Sequence, residues 1–391
     1  MPLAQRLDQL GSNVFAEMDT AKAQAQRQGK TLIDLSLGSA DLPTPAPILA
    51  AIAAALKQPQ SHGYLLHRGT YPFRQAVAHW YEQRFGVAVD PETEILPLIG
   101  SQEGTAHLPL AVLNPGDVAL LLDPGYPSHA GGVHLAGGII QPLPLRPENN
   151  YLPVWADIPP GVLERAKLLV LSYPHNPTTA LAPLGFFEEA VVWARQQDLV
   201  LVHDFPYLDL VFEATQPAPS IFQATTQKEN IIEFFTFSKS YNMGGFRIGF
   251  AIGGAELITA LRRIKAVVDF NQYQGILQGA IVALEQAPTL VPPTVATFAK
   301  RREILVEALA QKGWAVSLPP ATPYLWAPLP PPWQDRSLEF CLRLLQETGV
   351  ALAPGRGFGA NGEGYVRFAL VREAEKLQQA VAHIATFLAK G

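Results

Sequence analysis

The sequence predicts an α/β fold: a large domain with a seven-stranded, mostly parallel sheet between helices, plus a smaller α+β domain. The first observation is an alternation, from Glu94 to Gly253, of short runs rich in Val, Leu and Ile with Gly, Pro or Asn turns and helical patterns. The second is that these runs are apolar throughout, which is typical of strands covered by helices on both faces. The third is the length of 391 residues, which favours more than one domain.

The predicted strands of the large domain each end at a turn. They cover residues 94–99, 117–122, 139–143, 167–172, 199–204, 231–236 and 247–252. Between the fourth and fifth strands, residues 184–197 repeat apolar side chains at helical spacing, so this segment predicts an amphipathic helix.

Residues 255–286 have a helical pattern, and the proline-rich segments 292–293 and 318–332 interrupt the chain after them. We therefore expect a large domain over 46–285 and a small domain formed by 1–45 and 286–391. The small domain is predicted to contain strands at 314–318, 324–327, 350–353 and 365–369, and helices at 300–311, 338–347 and 373–389.

Composition excludes several classes of partner. The formal net charge is −5 and no run of Lys or Arg occurs, so the sequence lacks the basic surface that nucleic acid or an anionic membrane requires. A single cysteine, Cys341, allows neither an internal disulfide nor a thiolate metal site. With no signal-like start and no apolar run of membrane-spanning length, we expect a cytoplasmic protein that binds small molecules.

In an open α/β sheet, ligands bind beyond the carboxyl ends of the strands. Ser101 and Gln102 open a helix directly after the first large-domain strand, where free N–H groups suit a phosphate, although this is also an ordinary helix cap. Tyr126 follows the second strand, where it either packs or stacks on a flat ring.

Two further polar residues follow buried strands. Asn176 lies between prolines in a stiff turn, where its amide is free to donate a hydrogen bond, although Asn-Pro is also a common turn dipeptide. Asp204 ends the apolar run 199–202, and a carboxylate there is costly unless a cation or donors meet it. A pyridinium nitrogen is such a cation.

The most specific segment follows the sixth strand and contains Thr236, Ser238, Lys239, paired glycines and Arg247. A lone lysine after a strand is ordinarily a solvated surface residue. Here hydroxyls flank the lysine and an arginine follows it, which combines an amine with an oxyanion site. An aldehyde that carries a phosphate needs this combination.

These segments, in this order, resemble the class I/II aminotransferases, the fold-type I pyridoxal-phosphate enzymes. The resemblance runs from the segment 34–38 to the segment 365–367. Residues 14–19 and 173–178 are most similar to the branch with alanine, diaminopimelate and N-succinyl-diaminopimelate aminotransferases. The resemblance implies pyridoxal 5'-phosphate as cofactor, an amino acid and a 2-ketoacid as substrates, and ping-pong chemistry.

The resemblance also implies roles for the residues around the cofactor ring. Lys239 would carry the cofactor as a Schiff base and move the substrate proton, and Asp204 would keep the pyridine nitrogen protonated. Tyr207 and Asn176 would bind the phenolic oxygen, and Tyr126 would stack on the ring.

The remaining implied roles concern the phosphate and the substrate. The phosphate would be held by Ser101, Gln102, Thr236, Ser238 and Arg247. Arg367 would clamp the substrate α-carboxylate, with Gly38 donating from the backbone nearby. Tyr64 resembles the tyrosine that reaches the phosphate of the neighbouring subunit, which implies a homodimer with shared active sites.

The sequence departs from the family pattern at three places. Thr179 replaces the usual glycine, and Ser39 with Ala40 replaces a pair that usually contains Gly or Pro. Residues 269–274 contain no arginine, although relatives specific for dicarboxylates keep one roughly there, so aspartate specificity by that route is disfavoured.

Three alternatives stand beside the transaminase hypothesis. A β-eliminating C–S lyase would use the same residues on the same fold. A ligand-sensing regulator would carry a basic DNA-binding module, which we do not expect here because the chain is acidic and starts directly with Met1-Pro2-Leu3. A nicotinamide-dependent dehydrogenase is rejected because residues 99–104 break the Gly-x-Gly-x-x-Gly spacing.

Overall fold

The computed structural model describes residues 3–10, 14–39, 41–213 and 217–390. A short strand, β1 (Ile33–Asp34), precedes a sheet of seven strands. These are β2 (Ile95–Leu98), β3 (Val118–Asp123), β4 (Ile139–Pro144), β5 (Ala166–Leu171), β6 (Val200–Asp204), β7 (Ile231–Thr236) and β8 (Gly249–Gly253). Their order is β2-β8-β7-β6-β5-β3-β4, and only β8 runs antiparallel to its neighbours. The predicted seven-stranded, mostly parallel sheet is confirmed.

Helices cover both faces of this sheet. After α1 (Val14–Arg27), which packs elsewhere, they are α2 (Ala46–Ala55), α3 (Tyr71–Phe85), α4 (Ser101–Val112), α5 (Pro127–Leu135), α6 (Pro160–Leu163), α7 (Leu184–Gln196), α8 (Ala255–Val268) and α9 (Gln274–Glu285). Adjacent residues of β5 alternate between the faces. Leu169 lies in the hydrophobic cluster with α3, α7 and α9, and Leu168 lies in the cluster with α4, α5 and α8.

The rest of the chain forms α10 (Ala287–Gln311), β9 (Tyr324–Pro328), α11 (Ser337–Thr348), β10 (Val350–Ala351), β11 (Ala353–Pro354), β12 (Tyr365–Ala369) and α12 (Ala374–Leu388). An antiparallel sheet has the order β11-β12-β9, and β1 pairs with β10 in parallel. Met18 of α1 belongs to the same hydrophobic cluster as Phe340 and Phe387. This packing favours the predicted division into 46–285 and 1–45 with 286–391, which stays a prediction.

The predicted strand at 314–318 is wrong. The segment has no regular secondary structure and joins none of the sheets in the described ranges, and the indole of Trp314 donates to the Pro328 carbonyl at 2.9 Å. Pro319 and Pro320 follow directly and have no N–H with which to join a ladder.

Pro292 and Pro293 do not interrupt the chain as predicted, because they lie inside α10, which begins well before residue 300. The buried side chains of Phe298, Leu305 and Leu309 hold this helix against its neighbours. Tertiary packing therefore outweighs the low helical propensity of the two prolines.

None of the helices in the described ranges is long and apolar enough to cross a membrane. The thiol of Cys341 is buried in α11, and burial raises its pKa well above the usual value. Because the thiolate is the reactive form, this cysteine has a packing role.

Candidate active site

A cavity of about 370 Å³ lies beyond the carboxyl ends of the central strands. It brings together residues that are far apart in the sequence. Of the predicted site residues, it is lined by Gly38, Ser101, Gln102, Tyr126, Asn176, Asp204, Tyr207, Thr236, Ser238, Lys239, Arg247 and Arg367. Tyr64 is the predicted site residue that does not line it.

Lys239 follows β7 and extends its amine into the cavity. Its Nζ donates to the Gly38 carbonyl oxygen at 2.6 Å and lies 5.9 Å from the centre of the Tyr207 ring. No carboxylate in the described part of the chain forms an ion pair with this amine. The amine is therefore within reach of a ligand carbonyl in the same cavity.

Asp204 ends β6, and its side chain is 5% exposed. Its Oδ2 is 2.9 Å from Nε2 of His129, and its Oδ1 is buried without a hydrogen-bond partner among the described residues. A buried carboxylate oxygen without a donor is costly, so this atom is suited to a proton carried by a bound ligand. The nitrogen of a protonated pyridine ring supplies one.

His129 was not identified from the sequence. It lies one helical turn after Tyr126, and the two rings meet edge to face with centroids 5.6 Å apart. The spacing of three residues at the start of α5 is the only sequence signal for it. Its contact with Asp204 holds that carboxylate in a fixed orientation.

The other end of the cavity is rich in hydrogen-bond donors. Ser101 and Gln102 are the first residues of α4, and Thr236 Oγ1 lies 2.9 Å from Ser238 Oγ. The Arg247 guanidinium donates to the Gly244 carbonyl at 2.9 Å and has no carboxylate partner in the described ranges. A helix start, two hydroxyls and a free cation form a site for a dianionic phosphate.

Gly100 makes room for this arginine. Its φ is +75°, which favours glycine, and an added Cβ would lie 2.4 Å from an Arg247 guanidinium nitrogen. Gly100 therefore belongs to the phosphate end for a steric reason that the sequence did not reveal.

Arg367 is a buried cation without a counter-ion among the described residues. Its Nη1 donates to Asn176 Oδ1 at 2.7 Å, and its Nη2 donates to the Ser36 carbonyl at 2.9 Å. The guanidinium lies 4.1 Å from the ring centre of Tyr324 and 4.6 Å from that of Phe358. Neutral partners do not offset a buried charge, so a carboxylate is the ligand that fits here.

The same contact fixes the orientation of Asn176. Because its amide oxygen accepts from Arg367, its amide nitrogen keeps N–H groups that can face a ligand. This is the donor role that the sequence predicted for Asn176.

Tyr324 also lines the cavity and was not identified from the sequence. Its hydroxyl lies 3.1 Å from that of Tyr207. Burial and the Tyr324 hydroxyl raise the pKa of Tyr207 well above its usual value. Burial acts in the same direction on Tyr324, but the charges of Lys239 and Arg367 outweigh it and lower the pKa of Tyr324.

Gly38 lies against Tyr324. A Cβ on Gly38 would stand 1.9 Å from the Tyr324 hydroxyl oxygen. We expect Gly38→Ala to displace that hydroxyl and reduce the free energy of unfolding by about 1–3 kcal/mol, the usual range for overpacking. Thermal unfolding of the cofactor-free protein measures this. Gly63→Ala, with open space around the added Cβ, is the control, and equal effects of both variants would contradict the steric argument.

A buried ion pair lies beside the phosphate end. Lys265, 3% exposed, donates to both carboxylate oxygens of Glu103 at 2.8 and 3.0 Å, and also contacts Asp269 at 3.2 Å. Burial raises the pKa of the Glu103 carboxyl, while Lys265 opposes this. Glu103 lies in the first turn of α4, so its negative charge opposes a phosphate unless Lys265 neutralises it.

We expect Lys265→Met to lower the stability by about 3–5 kcal/mol, because it leaves a buried carboxylate unpaired. It should also weaken cofactor binding, measured by titration of the cofactor-free protein. The double variant Lys265→Met with Glu103→Gln should recover much of both losses. Lys228→Met, in the more exposed pair with Glu94, should cost only about 0–1 kcal/mol. If the double variant binds cofactor no better than Lys265→Met, charge neutralisation is not the role of Lys265.

The remaining sequence predictions fall outside this cavity or at its rim. Thr179 has φ +66°, a conformation that glycine adopts without strain. This explains why the family usually has glycine at this position. Ser39 lines the cavity, whereas Ala40 lies outside the described residues. In the segment 269–274, Asn271 and Gln272 donate to backbone carbonyls and do not line the cavity.

Comparisons with known proteins agree with this geometry. The family profile described as "Aminotransferase class I and II" matches residues 30–384. An LL-diaminopimelate aminotransferase of Dehalococcoides mccartyi is 43% identical over 99% of this chain and 99% of its own length. Another from Nitratidesulfovibrio vulgaris is 40% identical, with 98% of each chain covered.

Among solved structures, one described as a probable N-succinyldiaminopimelate aminotransferase from Thermus thermophilus is 47% identical. It covers 95% of this chain and 99% of its own, with a TM-score of 0.89. These findings assign the chain to the fold-type I pyridoxal-phosphate enzymes. The chain belongs to the class I and II aminotransferases.

It is therefore an aminotransferase that uses pyridoxal 5'-phosphate and moves an amino group between an L-amino acid and a 2-ketoacid. The cavity fits this cofactor because, within the described ranges, the Oδ1 of Asp204 lacks a donor and the Arg247 cation lacks a carboxylate. Nothing in the comparisons supports the C–S lyase alternative.

Proposed function

We propose that this aminotransferase takes its amino group from an amino acid of the diaminopimelate type and passes it to a 2-ketoacid. The observation that carries the proposal is that relatives matching the chain over nearly its whole length are named for diaminopimelate or its N-succinyl derivative. The absence of an arginine from residues 269–274 also disfavours aspartate specificity that depends on an arginine in that segment.

The proposal assigns a task to each group in the cavity. When bound, the cofactor draws electrons from the substrate α-carbon. Lys239 moves the proton from that carbon, and Asp204 keeps the ring nitrogen protonated. Tyr207 and Asn176 donate to the phenolic oxygen, and Tyr126 lies against the ring. Arg367 orients the substrate through its α-carboxylate, with Gly38 beside it.

At the phosphate end of the cavity, Arg247 would pair with the negative charge of the phosphate, and its neighbours would donate hydrogen bonds to the phosphate oxygens. These neighbours are Ser101, Gln102, Thr236 and Ser238. Holding the phosphate at this end fixes the distance between the reacting carbon and the amine of Lys239.

The experiment is a half-reaction without ketoacid, followed by the visible absorbance of the bound cofactor. LL-diaminopimelate, N-succinyl-LL-diaminopimelate, alanine, glutamate and aspartate are tested separately. We expect at least one of the two diaminopimelate compounds to bleach the band, together with the amino acid that corresponds to the acceptor ketoacid, because both halves of ping-pong chemistry use the same cofactor. Failure of both diaminopimelate compounds to bleach the band would overturn the substrate proposal. Release of ammonia and a ketoacid from one substrate alone would instead indicate elimination.

We also propose that the enzyme is a homodimer in which Tyr64 binds the phosphate of the neighbouring subunit. In the single chain Tyr64 is 93% exposed, and its ring contacts Phe270 with centroids 6.1 Å apart. Val267, 87% exposed, and Leu66 are also exposed apolar residues. Exposed apolar side chains in the two segments that meet at Tyr64 and Phe270 favour a contact with a second copy of the chain.

Mixing two inactive variants tests the shared site. Lys239→Ala and Tyr64→Ala, unfolded and refolded together, form hybrid dimers in which one site has both an intact lysine and an intact tyrosine. The mixture should be more active than either variant refolded alone. Activity no greater than the average of the two would contradict a shared site. The cytoplasmic location stays a prediction from composition.

A further inference from the structure

We propose that Tyr324 is a positioning residue of the amino-transfer site, whose hydroxyl donates to Tyr207 and so keeps Tyr207 as the donor to the cofactor's phenolic oxygen. The inference rests on the proposed roles of Tyr207 and Lys239. It concerns a residue that no sequence motif singled out.

Once a ligand accepts a hydrogen bond from Tyr207, the hydrogen bond between the two tyrosine hydroxyls has only one possible donor, Tyr324. Their oxygens are 3.1 Å apart, and both side chains are buried. Each phenol has one proton to donate and lone pairs to accept. When Tyr207 gives its proton to a ligand oxygen, it can only accept from Tyr324. The ligand therefore imposes the direction from Tyr324 to Tyr207 to the ligand.

Tyr324 is held in place on two sides. Its hydroxyl lies where a Cβ of Gly38 would otherwise be, and its ring faces the Arg367 guanidinium at 4.1 Å. Because Gly38 and Arg367 restrict the ring, the hydroxyl remains next to Tyr207.

The Arg367 cation also affects the strength of the bond from Tyr324. A cation over the face of a phenol ring withdraws electron density and makes the hydroxyl a better donor. Hydrogen bonds in a chain also strengthen one another in a buried site. The bond from Tyr324 should therefore strengthen the bond from Tyr207 to the phenolic oxygen, which stabilises the deprotonated form of that oxygen.

The test is a pH titration of the visible absorbance of the cofactor-loaded protein, without substrate. Losing the donor chain removes stabilisation from the deprotonated chromophore, so Tyr324→Phe should move the midpoint to higher pH. The expected shift is a few tenths of a unit, up to about one. The KM for the amino acid should change less than about twofold, because the ring over Arg367 remains.

Two comparisons make the test specific. Tyr207→Phe should shift the midpoint further than Tyr324→Phe, and the double variant should shift no further than Tyr207→Phe alone, since Tyr324 acts through Tyr207. Tyr365→Phe, on β12 outside the cavity, should leave the midpoint unchanged. Tyr324→Leu, which also removes the ring, should additionally raise the KM.

An unchanged midpoint in Tyr324→Phe, or a shift that persists in the Tyr207→Phe background, overturns the inference. These outcomes differ from a failure of the proposed function, in which the wild-type protein would titrate normally but no diaminopimelate compound would bleach its absorbance.

Discussion

Lys239→Ala is expected to lower kcat by at least about 10³-fold, within the range attributed to one positioned proton-transfer group. The amine of Lys239 is the basic group that lies in the cavity next to Gly38 and the Tyr207 ring. In the proposed function it both attaches the cofactor and moves the substrate proton, and its removal leaves no other lysine of the described ranges lining the cavity. Steady-state rates with saturating cofactor measure the loss.

A chemical label gives an independent readout. Borohydride treatment of the loaded wild-type protein, followed by peptide mapping, should place the reduced cofactor on residue 239, and the variant should carry no label there. Lys312→Ala, at an exposed position after α10, should retain full activity and full labelling. Labelling of another lysine in the wild-type protein would show that the amine has been misassigned.

The position of Lys239 could be predicted because the carboxyl ends of parallel strands meet at one edge of the sheet. Asp204 ends β6 and Lys239 follows β7, so the strand pattern alone predicted that they lie at the same edge of the sheet. Asn176, which follows β5, was found by the same rule, whereas Arg247 was found by its place in the segment after Lys239. Sequence reasoning therefore found the proposed functional residues that lie at or just after the carboxyl end of a strand.

His129, Tyr324 and Lys265 could not be predicted in this way. All three contact a partner distant in the chain: His129 is 75 residues from Asp204, Lys265 is 162 residues from Glu103, and Tyr324 is 117 residues from Tyr207. Neither periodicity nor turn chemistry encodes such pairs, because they depend on how α5 and α8 pack on the sheet. Tyr324 had no polar signal, since a tyrosine on a buried strand is ordinarily a packing residue.

The errors in the fold have a related cause. Residues 314–318 have strand-like composition, but composition does not show whether a neighbouring strand is available to pair with them. Helix α10 continues through Pro292 and Pro293 because distant residues bury its apolar face. Both errors occur where contacts made elsewhere in the chain decide the local conformation.

Asp204→Ala is expected to lower kcat by about 10²–10⁴-fold, the range for removing one group with a direct part in proton chemistry. The carboxylate is buried, its Oδ2 contacts His129, and its Oδ1 has no partner in the described part of the chain. An opposite charge next to a titrating nitrogen favours its protonated form. Without Asp204 the ring nitrogen should lose its proton and withdraw electrons less effectively.

A cofactor analogue methylated on the ring nitrogen separates the charge of Asp204 from its packing. The analogue keeps a positive charge without any carboxylate, and the alanine variant has space for the methyl group. It should therefore restore part of the activity of Asp204→Ala, but none of that of Lys239→Ala, which lacks the amine. If the analogue restores no activity to Asp204→Ala, Asp204 acts by holding His129 and α5 in place, and His129→Ala should then reproduce the loss.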